Sequence, residues 1–445
     1  MLPGRANVRG RLRLTGNKTM DFFEYRGGEL HCEGMTAAEL AQRFGTPLYV
    51  YSKRTLVDHY RRLAEAWAAL DPWLCFSVKS CSNLHILRLM RECGAAFDVV
   101  SGGEMRRAIE AGADPRRIVF AGVGKTDDEI REALSAGIGY FNVESEAEMD
   151  NLATIAASMN RRAPAALRVN PDVDPKTHVY TTTGKRETKF GVDLERAKRV
   201  FHEFARRPGL DLSAIHLHIG SPVNTVEPYV QSITKGLNLV DALRRDGFDV
   251  RAINIGGGYG AHYEDDQAPT AAQYAAHVAP LLKGAGLTVM LEPGRTITAN
   301  AGVLLTRTLY TKHSGDRQFL IVDASMTELI RPALYGSFHF VWPARPAGGQ
   351  TPPRRSAQLK PEGAVLVDIV GPVCESSDFL AKERWLPPVT RGDLVCVFTA
   401  GAYGFVMSSQ YNSRPRPAEV LVDGDDARII RRRETYDDLV AAERG

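Results

Sequence analysis

Eight short apolar runs, each ending on glycine, polar or charged residues, restrict this chain to architectures built from parallel strands. The runs are Leu74–Ser80, Phe97–Gly103, Ile118–Val123, Tyr140–Ser145, Ala166–Pro171, Ala214–Ser221, Ala252–Gly260 and Val289–Arg295. Near-continuous apolar runs of this length describe strands covered on both faces. Amphipathic stretches with helical spacing lie between them, among them Ser82–Cys93, Glu104–Ala111, Asp127–Ala136 and Glu146–Ala157. Eight strands, each followed by a helix, predict a (β/α)₈ TIM barrel. An open doubly wound sheet is the competing arrangement, but the strand count is eight and no G-x-G-x-x-G opens the first unit.

The texture changes after Asn300. Val303–Lys312, Gln318–Asp323, Ala364–Val370, Asp393–Thr399, Glu419–Val422 and Ala427–Arg432 read as short strands with few helical patterns, a β-sandwich or small β-barrel. The segment before the barrel, with strand-like Leu48–Tyr51, is expected to join that β-domain. The expected division is a disordered basic tail at 1–19, an N-terminal segment at 20–53, the barrel at 54–302 and the β-domain at 303–445. The tail lacks the apolar core of a secretory signal. A net charge of +3 gives no argument for a nucleic-acid or membrane surface, and no run of 18 apolar residues is present. Six scattered cysteines without a C-x-x-C pair point to a reducing, cytoplasmic setting, with neither disulfides nor a structural metal.

In a parallel barrel the chemistry sits at the C-terminal ends of the strands. Those ends carry Lys79, Ser101 to Gly103, Gly124 with Lys125, Glu144, Asn170, His218 with Gly220 and Ser221, Gly256 to Gly258, and Glu292 with Gly294 and Arg295. Singly, each has a plain reading: a surface lysine, a core histidine, a structural Glu–Arg pair, a turn. A ring of them describes a site. Lys79 at a barrel mouth is expected to be desolvated, which lowers an amine's pKa toward that of a Schiff-base nucleophile. The glycines of Gly256–Gly260 let backbone amides approach an anion. Glu292 leaves a buried strand beside a rigid Pro-Gly turn and could keep a heteroaromatic nitrogen protonated. His216 and His218 lie along one strand, and only one of them is expected to face the interior, which argues against a joint metal site. His218 is the better stacking imidazole.

The motifs Phe76-Ser77-Val78-Lys79-Ser80, Phe97–Glu104, His218-Ile219-Gly220-Ser221, Gly256–Gly260, Glu292–Arg295, Ile330–Gly336, Cys374–Asp378 and Ala402–Asn412 resemble, in order, the signatures of the diaminopimelate decarboxylases. These belong to the pyridoxal-phosphate-dependent decarboxylases of alanine-racemase fold, and the similarity runs from about Phe22 to Val440. The resemblance implies that Lys79 carries pyridoxal phosphate, that His218 stacks on its ring and that Glu292 bonds its ring nitrogen. It implies that Ser221, Gly258, Pro293, Gly294 and Arg295 hold the cofactor, with Tyr403 closing over the phosphate. Arg295, Arg331, Tyr335, Glu375 and Tyr403 would bind substrate, Arg331 pairing with its distal carboxylate and Glu375 with its distal ammonium. Cys374 would return the proton after CO₂ leaves. In the family Cys374 and Glu375 reach the site of the other subunit, which implies a homodimer.

The implied reaction converts meso-2,6-diaminopimelate into L-lysine and CO₂. Decarboxylases of other basic amino acids or of carboxynorspermidine, and a catalytically silent homologue, are the alternatives. Thr177–Asp193 would be a lid anchored by Lys189-Phe190-Gly191. Ser80-Cys81 follow Lys79 where Ala-Asn or Ala-Cys is more usual in the family, and Cys81 near the cofactor suggests sensitivity to oxidation.

Overall fold

The computed structural model describes residues 21–174, 189–265 and 267–444. The expected tail at 1–19, and the lid from 177 to 188, lie outside the described residues. At the N-terminal end, β1 (Phe23–Arg26), β2 (Glu29–Cys32) and β3 (Met35–Thr36) form a small antiparallel sheet, and β4 (Leu48–Ser52) follows one helix later.

The barrel strands are β5 (Trp73–Ser77), β6 (Ala96–Val99), β7 (Ile118–Phe120), β8 (Tyr140–Val143) and β9 (Ala163–Asn170), then, after the two-residue β10 (Val192–Asp193), β11 (Leu210–Leu217), β12 (Ala252–Asn254) and β13 (Thr288–Leu291). Eight of these pair side by side in parallel in chain order, β8 on β9 included, and the ring closes with β13 on β5. Closure removes every sheet edge. The eight-stranded barrel read from the apolar runs is therefore the observed fold, and the open sheet is excluded.

Local chemistry sets the helices between strands. Thr126 caps the helix Asp127–Ala136 in a reciprocal box with Glu129, and Gly137 ends it in the left-handed conformation. Ser101, one of the strand-end residues of the predicted ring, caps the next helix upstream by accepting from the Glu104 amide. Its role is thus local.

The barrel interior is layered. Cys75, Ala96, Val119, Ala166, Ala214, Ala252 and Met290 form one buried cluster, each from a different strand. Small side chains fill the narrow interior there. Two residues further along, the same strands carry Ser77, Asp98, Ala121, Arg168, His216, Asn254 and Glu292, mostly polar. Since side chains alternate with a period of two, this polar layer lies directly above the apolar one and faces the barrel mouth.

The second sheet has nine strands: β14 (Gly302–Ser314), β15 (Arg317–Val322), β16 (Val341–Pro343), β17 (Val365–Val370), β18 (Phe379–Leu386), β19 (Leu394–Val397), β20 (Ala418–Asp423), β21 (Asp426–Arg431) and, between β14 and β20, β4. Buried Glu419 on β20 fastens this sheet to the barrel. It accepts from Tyr51 (2.9 Å), from Arg431 (2.6 Å) and from Asn83 (2.8 Å), the residue that caps the helix Leu84–Glu92 just past Lys79. The sheet and the catalytic face are thereby held in one register.

Candidate active site

Lys79 sits in a single turn, Val78–Ser80, immediately beyond β5. Its ammonium pairs with the Asp98 carboxylate from β6, which also accepts from Ser77 Oγ at 2.6 Å. Asp98 is fully buried, while 31% of the Lys79 side chain still reaches solvent. The expectation that desolvation would lower the lysine is corrected here. Burial does push it down, but the charges of Asp98 and Glu292, with Tyr403 nearby, more than offset that and hold the ammonium above the ordinary lysine range.

Glu292 lies at the end of β13 among donors. Asn142 from β8 (3.0 Å) and Asn254 from β12 (2.7 Å) donate to its Oε1, and His216 Nε2 from β11 lies 3.4 Å from the same oxygen. Burial alone would raise this carboxyl, yet His216 and Lys79 hold it well below the usual carboxylate range. A buried, ionised carboxylate oriented by two amide donors at Oε1 fits a protonated ring nitrogen.

His216 and His218 do not face opposite ways, contrary to the reading of the strand. Residues two apart share a face of the pleat. Donor atoms of His216, His218 and Glu292 in fact converge within 4.8 Å. The donor chemistry nonetheless favours an organic ring over a cation: two amide N–H groups already point at Glu292 Oε1, and His218 Nδ1 takes the Gly257 amide at 3.3 Å. That bond leaves the proton of the neutral imidazole on Nε2. Burial and the Arg168 guanidinium keep His218 neutral, well below the ordinary histidine range. Both His216 ring nitrogens and Asp98 Oδ1 are buried without hydrogen-bond partners among the described residues, so polar capacity remains at the floor of the pocket.

The glycine turns close around this floor. Gly220, Gly256 and Gly258 all have positive φ, and a Cβ on Gly258 would meet the Gly220 carbonyl at 2.1 Å. A Cβ on Gly294 would meet Ser77 and Ser80 at about 3 Å. The sequence signatures around Ser221, Gly258 and Pro293-Gly294 are therefore neighbours in space, and the Pro293 carbonyl accepts from the Ser77 amide. Arg295 spans them, donating from Nε to Ser221 Oγ (3.3 Å) and from Nη1 to the Tyr263 hydroxyl (2.6 Å).

A second guanidinium lies beside the first. Arg331 donates to Ser337 Oγ (3.2 Å) and to His339 Nε2 (3.3 Å), and packs over the rings of Tyr263 and Tyr335. Both arginines are only 6% exposed, and neither pairs with a carboxylate among the described residues. Tyr403 completes the wall. Its φ of 55° is unusual for a residue with a side chain, its amide donates to the Ser80 carbonyl (2.9 Å), and its ring lies 4.8 Å from the Arg295 guanidinium.

Other expected residues stand elsewhere. Cys374 and Glu375 occupy an exposed loop, where Asn412 accepts from the Cys374 amide and Glu375 bonds Ser377. None of their contacts reaches Lys79, Glu292, Arg295 or Arg331 within the chain. Lys125 turns away and is spent on Gly122, Asn142 and Glu148. Glu144 pairs with Arg168 (2.8 Å) and accepts from the Gly191 amide (3.1 Å), while Phe190 lies under the Arg168 guanidinium, which ties Phe190-Gly191 to the barrel rim. Cys81 is 2% exposed, and burial with the Glu419 charge pushes its thiol up to about 12, so the expected oxidation sensitivity is not supported. Limited alkylation followed by peptide mapping is expected to modify Cys374 well before Cys81; early labelling of Cys81 would contradict this packing.

The sequence reading missed Asp98, Asn142, Asn254 and His216. Each is a polar residue inside an otherwise apolar strand run, two positions beyond an interior small or aromatic side chain, and that was the available signal. Tyr263 and His339 gave none, because neither stands at a strand end.

Residues 53–299 match the family model described as the pyridoxal binding domain of pyridoxal-dependent decarboxylases. The diaminopimelate decarboxylase of Pseudomonas aeruginosa is 47% identical over 424 residues, 95% of this chain and 99% of that protein. The Aquifex aeolicus diaminopimelate decarboxylase is 43% identical over 420 residues, covering 94% and 96%. The crystal structure of the Helicobacter pylori diaminopimelate decarboxylase complexed with L-lysine superposes with a TM-score of 0.85 at 38% identity, covering 91% of this chain and 98% of that one. With these full-length relatives and with Lys79, Glu292 and two arginines gathered at one barrel mouth, the chain belongs to the pyridoxal-phosphate-dependent diaminopimelate decarboxylases.

Proposed function

We propose that this chain decarboxylates meso-2,6-diaminopimelate at its D centre, giving L-lysine and CO₂ as the last step of lysine biosynthesis, with pyridoxal phosphate as cofactor. The observation that carries the substrate assignment is the pair of buried guanidiniums, Arg295 and Arg331, with no carboxylate partner among the described residues. Desolvated cations are costly unless an anion answers them, and a bidentate carboxylate fits a guanidinium best. Diaminopimelate brings a second carboxylate that survives the reaction; ornithine, lysine and arginine do not.

Pyridoxal phosphate, when bound, supplies a sink for the electron pair left as CO₂ departs. The chain's own residues do the rest. Lys79, aimed by Asp98, would hold the cofactor through its amine. Glu292, kept ionised and fixed by Asn142 and Asn254, holds a proton at the ring nitrogen. His218, neutral, covers the ring face. Ser221, Gly258 and the backbone of Gly294–Arg295 would take the phosphate end, with Tyr403 closing over it and the Arg295 side chain left for the substrate. Arg331 and Tyr335 orient the retained carboxylate, Glu375 answers the distal ammonium, and Cys374 Sγ delivers a proton to the carbon that lost CO₂.

Cys374 and Glu375 lie on an exposed loop away from Lys79, which supports a homodimer in which this loop completes the partner's site. We infer domain limits at 20–53, 54–302 and 303–445, and a cytoplasmic setting consistent with six free cysteines. Among the described residues no helix is long and apolar enough to cross a membrane.

Carbon dioxide release measured with meso-diaminopimelate, ornithine, lysine and arginine tests the reading. Turnover of diaminopimelate at least about 10²-fold above the other three is expected, since a site built to pair a charge rejects analogues lacking it strongly. Turnover of the singly carboxylated amino acids alone would reject it.

A further inference from the structure

Two like charges stand side by side at the substrate end of this site, and the structure shows what keeps them there. Tyr263 lies between them. Its hydroxyl accepts from Arg295 at 2.6 Å, and its ring faces Arg331 with the guanidinium carbon 5.3 Å from the centroid. Burial pushes the phenol up, but the two guanidiniums more than offset it and leave it below the ordinary tyrosine range. His339 stands edge-on to Tyr263, with ring centroids 5.4 Å apart and planes at 89°.

His339 is fully buried, and its tautomer follows from its partners. Nδ1 lies 3.0 Å from the Phe398 carbonyl, which can only accept, so Nδ1 carries the proton. Nε2 is left with its lone pair and takes the Arg331 Nε–H at 3.3 Å. Burial first, and the Arg331 charge second, push the imidazole down to about 3, so this acceptor persists at any working pH. A protonated ring would lose the acceptor and add a third positive charge. With Nε tied to His339 and Nη2 to Ser337, the Arg331 fork is fixed in orientation before substrate arrives.

We propose that Tyr263 and His339 are positioning residues that hold Arg295 and Arg331 together as one carboxylate receptor, and that this pair sets the preference for an amino acid retaining a carboxylate over a plain diamine. The inference rests on the substrate reading given above. It assigns the selectivity to two residues that touch neither the cofactor-bearing lysine nor the reacting carbon. Neutral acceptors suit the task because an acidic residue in either place would neutralise the arginines and remove their pull on the substrate.

The test is equilibrium binding of L-lysine and of cadaverine to the cofactor-loaded enzyme, by titration calorimetry. The two ligands share the amine chain and differ in the carboxylate. His339→Leu is expected to weaken L-lysine by about tenfold or more, the scale of one hydrogen bond to a charged group, and to leave cadaverine within about twofold. His339→Gln offers both an acceptor and a donor, and is expected to recover most of the loss. Tyr263→Phe removes only the hydroxyl and is expected to act in the same direction. In parallel, KM for diaminopimelate rises more than kcat falls. Should His339→Leu fail to fold, Tyr263→Phe and His339→Gln carry the test. Equal weakening of both ligands, or unchanged lysine binding with the wild-type preference intact, would overturn this inference alone. A wild-type protein that releases no CO₂ from diaminopimelate overturns the substrate reading, and this inference with it.

Discussion

Lys79→Ala protein is expected to lose the visible absorption of covalently held cofactor and at least about 10³-fold in decarboxylation rate, because no other amine can replace the nucleophile. Its effect on the fold separates chemistry from packing. Asp98 is fully buried and has the Lys79 ammonium as its ion-pair partner. Without it, the carboxylate keeps only the Ser77 hydroxyl, and burial together with the Glu292 charge already pushes its pKa up. Removing one member of a buried pair costs about 3–5 kcal/mol, and the part of Lys79 that reaches solvent moves the expectation toward the lower figure. The double variant Lys79→Ala/Asp98→Asn is expected to regain most of that stability and none of the activity. Urea unfolding and an absorption spectrum check both arms. A cofactor band that persists in Lys79→Ala would refute the assignment of the lysine.

The second large effect is a recovery. Cys374→Ala and Lys79→Ala proteins are each expected to be nearly inactive alone. When mixed and allowed to exchange subunits, they are expected to reach about a quarter of wild-type activity. Half of the dimers then contain one chain of each kind, and in each of these one of the two sites draws Lys79 and Cys374 from intact chains. The expectation follows from the exposed position of Cys374 and Glu375, remote from every described active-site contact of their own chain. Absence of recovery after demonstrated exchange would show that Cys374 serves its own subunit, or that it does not donate the proton.

Much of this was legible in the sequence. The barrel followed from eight apolar runs because a strand covered on both faces has no polar side to alternate. Six of the β-domain strands were legible, and the three-residue β16 and the longer β18 were not; β18 shows why. It carries Lys382-Glu383-Arg384 at its centre, and Glu383 has a positive φ where the pairing with β17 shifts register, so a bulge hides the strand pattern. Lys79, Glu292 and Arg295 were legible because each interrupts or ends an apolar run with a charge that has no structural reason to be there. His216 and His218 stand two apart and so share the inward face of the strand, which their spacing alone already implies.

The sequence by itself determined the barrel, its cofactor lysine and the family, since these depend on local periodicity and on motifs whose residues are adjacent in the chain. Tertiary structure alone decided the electrostatics. Whether Lys79 is cationic depends on Asp98 and Glu292, which arrive from two other strands, and the tautomer of His339 depends on the Phe398 carbonyl. The grouping of Arg295, Arg331 and Tyr263 likewise exists only after the β-domain has docked on the barrel. Charges interact through space and through the solvent that packing excludes, and neither is written in the order of residues along a chain.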